Sequence, residues 1–87
     1  MIKHLKNVEK YDGSLKELAK DISNMTYDSL ALFLSELSYK IEYDSKKDKE
    51  RKRNKLSHQL ESASKSIRES SEFISSAWNI CKPFMKD

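Results

Sequence analysis

The sequence predicts an all-α protein: a short N-terminal helix, then a long antiparallel helical hairpin that assembles into a homo-oligomer. Three observations carry this. One glycine and one proline in 87 residues leave too few turn-formers for an all-β fold. Apolar residues recur at helical spacing through two long runs. Charged residues make up 36% and hydrophobic residues 37%, polar for a globular core but usual for long exposed helices. The length allows a single domain, residues 1–87. A two-helix hairpin of this size buries little surface, so self-association is the expected source of further stability.

Residues 1–13 form a weakly patterned N-terminal segment that ends in a turn at Tyr11-Asp12-Gly13, built on the one glycine. The short helix spans 14–24. Ser14 and Glu17 make a capping box, and Leu15, Leu18, Ala19 and Ile22 follow at helical spacing. The hairpin spans 26–82. Thr26 reads as its N-cap, with Asp28 in the first turn and Met25 with Leu30 as a hydrophobic staple. Leu30, Phe33, Leu34, Leu37 and Ile41 predict a core face. Leu32, Tyr39 and Tyr43 lie on another side of the same helix. Two apolar faces call for cover from the short helix or from a second subunit.

Lys46–Lys55 holds seven basic and two acidic residues, a local +5, which leaves −2 on the rest of a +3 chain. Such a patch suits an anionic partner or a solvated helix end. The turn between the long helices is expected at Tyr43–Lys47, with Asp44 or Ser45 capping the second arm and Asp48–Lys52 pairing along it. One continuous kinked helix is the alternative. The second arm carries Leu56, Leu60, Ala63, Ile67, Ile74, Ala77, Trp78 and Cys81, with eight serines from Ser57 to Ser76 whose small size lets helices approach closely. Pro83 stops the helix, and Phe84-Met85 is expected to fold back.

Chemistry is sparse. His4, His58 and Cys81 have no metal-ligand spacing, and neither histidine lies near Cys81 in sequence. With one glycine there is no phosphate loop. The reading is of a non-enzyme without metal or cofactor. Residues 1–13 have no apolar signal core, and no run approaches the ~20 residues of a membrane span.

Binding is better supported. Tyr11 either stacks on a base or packs on the helices. Lys16 and Lys20, one turn apart, can face a phosphate together, although spacing alone also fits solvated lysines. Thr26 and Tyr27 stand at a helix N-terminus, which favours anions. Lys47, Arg51 and Lys55 are expected to share one helix face at i, i+4 and i+8, and arginine can bind phosphate bidentately. Arg51 and Arg53 are the arginine candidates. Trp78 reads as a core or interface anchor.

The stretch LFLSELSYKIEYDSKKDKERKRNKLSHQLESASKSI, followed by SSAWNICKPFM, resembles the phage anti-CBASS cyclic-oligonucleotide sponges. Their helical hairpin is shared with a related phage anti-Thoeris sponge. The likeness covers roughly residues 30–85 and rests on the Leu-rich first arm, the opening of the second arm and the AW.ICKPFM ending. It implies non-catalytic sequestration of cyclic di- and trinucleotides by compact hexamers, in the cytoplasm of an infected bacterial host. The CBASS immune signal would thereby be removed. Dinucleotides such as 3′,3′-cGAMP would sit between paired subunits and trinucleotides where three subunits meet. A tyrosine of the N-terminal region stacks on bases in that family, and Tyr11 suits the role best. Basic side chains hold the phosphates. The candidate binding residues are thus Tyr11, Lys16, Lys20, Thr26, Tyr27, Arg51 and Arg53. The alternative function is a basic helical adaptor or nucleic-acid-binding module.

Overall fold

A computed structural model describes residues 4–84. Its helices are α1 (Leu15–Ser23), α2 (Tyr27–Glu50) and α3 (Asn54–Cys81), followed by a 3₁₀ turn at Lys82–Phe84. The described residues are otherwise turns and loops, without a strand. The all-α expectation and the hairpin are borne out, since α2 packs along α3. α1 makes no comparable packing with either, and the molecule is elongated, 50 × 29 × 16 Å.

α1 starts where its sequence directs. The Glu17 amide donates to the Ser14 hydroxyl at 3.1 Å, and Glu17 accepts from the Ser14 amide at 3.2 Å. These bonds satisfy two amides that helix geometry leaves unpaired. Thr26 holds the N-cap position of α2 but makes no side-chain cap. Its hydroxyl instead donates to Asp28 Oδ1 at 2.5 Å. That bond, first among the causes, holds the Asp28 carboxyl below its ordinary pKa.

The seam of the hairpin corrects the expected core. Phe33 and Leu37 stay exposed, while Leu30, Leu34 and Ile41 are half-buried. The buried positions are instead Ala31, Ser38 and Ser45 on α2 with Ser57 and Ser64 on α3. They recur every seven residues, the period that keeps one stripe of a helix facing its partner. Three hydroxyls cross the seam to backbone carbonyls. Ser45 donates to Ser57 at 2.8 Å, Ser64 to Ser38 at 3.0 Å and Ser71 to Ala31 at 2.8 Å. Small side chains let the backbones approach. Each hydroxyl then finds the acceptor that burial demands.

The turn also lies elsewhere than expected. α2 runs seven residues past Tyr43 and ends at Glu50. Ser45 caps nothing, because it is buried against Ser57. The Arg53 amide donates to the Asp48 carbonyl at 2.8 Å and the Lys52 amide to the Lys49 carbonyl at 3.0 Å. Lys52 has φ 61°. This is a Schellman ending, with lysine in the left-handed position that glycine usually fills. The apolar contact common in that motif is replaced by an ion pair, Arg53 to Asp48 at 3.6 Å. Asp48 therefore pairs with Arg53 rather than Lys52. Lys47, Arg51 and Lys55 share no helical face, because a turn separates them. At the far end Pro83 follows α3 as expected, but Phe84 is exposed rather than folded back, and Met85 lies outside the described residues.

Candidate functional site

Four of the seven candidate residues form two groups at opposite ends of α2: Thr26 and Tyr27 open it, and Arg51 and Arg53 follow its end. Tyr27 is its first residue and Arg51 follows its last, so its 24 residues hold the groups about 36 Å apart at ~1.5 Å per residue. One small ligand on one chain cannot touch both.

The other three, Tyr11, Lys16 and Lys20, lie before α2 in the chain. Tyr11 is half-buried in the loop before α1 and donates its hydroxyl to Asp21 Oδ2 at 2.5 Å. That bond to Asp21, ahead of desolvation, pushes the phenol above its ordinary value of 10.0. Lys16 and Lys20 are exposed one turn apart on α1. Thr26 and Tyr27 are exposed at the start of α2.

The second group sits at the closed end of the hairpin. Arg51 and Arg53 line a cavity of about 530 Å³ together with His4, Tyr43, Asp44, Lys47, Asp48 and Leu56. The two acids are engaged: Asp44 pairs with Lys40 at 2.6 Å and Asp48 with Arg53 at 3.6 Å. Arg51 has no acidic partner among the described residues. The Lys47 ammonium stands 5.5 Å from the centre of the Tyr43 ring and that of Lys40 6.0 Å, within reach of cation–π attraction.

A second cavity, about 240 Å³, lies over the serine seam and holds none of the seven candidate residues. Ser45, Ser57 and Ser64 line it with Glu42, Lys46, Lys49, Glu61, Lys65 and Arg68. The four cations outnumber the two acids. Arg68 Nη2 donates to Glu42 Oε2 at 2.5 Å, while its guanidinium lies 5.0 Å from the centre of the Tyr39 ring. The buried Arg68 Nε has no acceptor among the described residues, a donor left over. The hydrogen bond from Arg68, then that from Lys46, holds the Glu42 carboxyl below its ordinary 4.5. The one signal for this site in the sequence is the pair Arg68 and Glu42, which become neighbours only through antiparallel pairing 26 residues apart.

Among the described residues, no three His, Cys, Asp or Glu side chains gather as metal ligands. No described helix is long and apolar enough to cross a membrane. Large apolar side chains remain uncovered on the helices, notably Leu32 at 68%, Phe73 at 75% and Ile80 at 73% exposure. Compared with protein-family models, with curated proteins and with solved structures, the chain matches none.

Proposed function

We propose that the protein binds cyclic oligonucleotide second messengers without turning them over, and so lowers their free concentration. The observation that carries this reading is that the closed-end cavity pairs an aromatic ring with cations. Tyr43 lines it with Lys47 and Arg51, and the Lys47 ammonium stands 5.5 Å from the ring centre. A cyclic nucleotide presents flat bases and singly charged phosphodiesters. Aromatic faces take the bases, and guanidinium or ammonium groups take the phosphates.

A homo-oligomer, of the hexameric kind the family resemblance implies, supplies what one chain lacks. The exposed Leu32, Phe73 and Ile80 are apolar area of the kind that marks subunit contacts. A twofold between chains would also set two Tyr11 rings around one cyclic dinucleotide, whose own symmetry matches. Cyclic trinucleotides would sit where three subunits of that assembly meet, as the resemblance implies. The setting is the cytoplasm of an infected bacterium, where removing the signal would keep CBASS effectors off.

The exposed basic turn Arg51-Lys52-Arg53 favours one other reading, a helical module that grips a nucleic-acid polymer. Calorimetry with 3′,3′-cGAMP, a cyclic trinucleotide and duplex DNA at several salt concentrations separates the two. The sponge predicts heat with a cyclic ligand that changes little with salt. Polymer binding falls steeply with salt through counterion release. No heat with any cyclic di- or trinucleotide at micromolar protein sinks the sponge reading.

A further inference from the structure

Three contacts hold Tyr11, although it sits in a loop. Its hydroxyl donates to Asp21 Oδ2 at 2.5 Å. Its amide donates to the Val8 carbonyl at 3.1 Å, closing a turn. Its ring lies against Gly13, where a Cβ would stand 2.6 Å from Cε1 and 3.0 Å from Cζ. Gly13 does not have a positive φ, so the ring rather than the backbone accounts for glycine there. Asp21 belongs to α1, whose start the Ser14–Glu17 box fixes. The ring is therefore tied to a helix and not left to its loop.

Asp21 has no ion-pair partner among the described residues. A carboxylate repels phosphodiesters, which makes it a poor direct contact for a cyclic nucleotide. Its use to a binding site must run through the group it holds. We propose that Asp21 is a positioning residue, which by accepting the Tyr11 hydroxyl fixes the ring over Gly13 as a pre-formed platform for a base. The ring then need not be ordered when ligand arrives, and pre-organisation of this kind raises affinity without adding a contact. Gly13 completes the device by leaving room for the ring. The inference rests on the reading of Tyr11 as a stacking residue.

The test uses the full chain and 3′,3′-cGAMP by calorimetry, with the Tyr11 ring followed by NMR through a pH titration. Asp21→Ala and Tyr11→Phe are each expected to weaken binding by roughly three- to tenfold, the scale of one ordinary hydrogen bond lost. Asp21→Asn, which can still accept, keeps affinity within about twofold. The double variant Tyr11→Phe with Asp21→Ala is no weaker than either single one, because both remove the same bond. In the free protein, Asp21→Ala brings the Tyr11 titration down to the ordinary tyrosine range. A merely structural role for Asp21 would lower the melting temperature without this pattern. Wild-type affinity in Tyr11→Phe or Asp21→Ala overturns the positioning role while the stacking role stands. Wild-type affinity in Tyr11→Ala as well overturns both. If the wild-type protein binds no cyclic dinucleotide, the stacking reading falls and the positioning role falls with it.

Discussion

The Ser64 hydroxyl of α3 donates to the Ser38 carbonyl of α2 at 3.0 Å, and Ser38 is completely shielded from solvent. This contact is the centre of the serine seam. Ser64→Leu would force a larger side chain between closely spaced backbones, and overpacking of that kind costs about 1–3 kcal/mol. Ser64→Ala removes one hydrogen bond and keeps the volume, for about 1 kcal/mol. Urea unfolding followed by circular dichroism should rank Leu well below Ala. Equal midpoints would show that the seam tolerates separation.

Lys52 occupies the left-handed position of the hairpin turn, with φ 61°. A lysine Cβ is strained there and glycine has none. Lys52→Gly is therefore expected to stabilise the protein, by up to about 1 kcal/mol once the greater freedom of glycine in the unfolded chain is deducted. A lower midpoint in the same unfolding experiment would contradict this account of the turn.

Glu42 joins the seam cavity to α3 through Arg68. Its carboxyl titrates lower in the folded chain than the ordinary 4.5, first because Arg68 donates to it. A carboxylate with a depressed folded pKa adds stability that is fully present above its unfolded pKa. That stability is lost as the pH falls from about 4.5 through the lower folded value. Melting curves from about pH 3 to pH 7 should show a shallower acid decline for Glu42→Gln than for wild type. The two should converge at the acid end, and parallel curves would remove Glu42 from the explanation.

Arg51 and Arg53 are neighbours in sequence with different tasks. Arg53 pairs with Asp48, whose side chain is only 13% exposed, whereas Arg51 has no acidic partner among the described residues. Arg53→Ala strands that carboxylate and is expected to cost about 1 kcal/mol, discounted because Arg53 itself is open to solvent. Arg51→Ala should leave the melting temperature unchanged and weaken binding of anionic ligands at the closed end. Thermal shift and calorimetry on both variants check this split. A destabilised Arg51→Ala would assign it a structural task instead.

Phe73 is 75% exposed on α3. Light scattering should give a wild-type mass several times the 10.2 kDa of one chain, and Phe73→Glu should move it toward one chain's mass. A wild-type protein that runs at 10.2 kDa would remove the oligomer, and with it the paired-subunit site.

Local chemistry was legible in the sequence wherever it needed no partner. The Ser14–Glu17 box formed as the spacing directs, α2 opens after Thr26, and α3 gives way just before Pro83. The turn was misplaced because Asp44 and Ser45 look like a cap, whereas the actual turn lacks the glycine that marks a Schellman ending. A hydroxyl near a helix end reads as polar surface until another helix's carbonyl arrives to bury it, as happens to Ser45 against Ser57.

By itself, then, the sequence determined two long helices, a short capped one before them and a basic stretch between. All of these follow from periodicity and from groups within four residues of each other. Only the tertiary structure decided that small serines, and not leucines, hold the most buried positions. It also decided that Arg68 faces Glu42 and Tyr39, that Arg51 and Arg53 share a cavity with Tyr43 and His4, and that Asp21 holds Tyr11. These depend on the register of two antiparallel helices and on the path of a loop. Interhelical hydrogen bonds fix that register, and their partners stand 12, 26 and 40 residues apart.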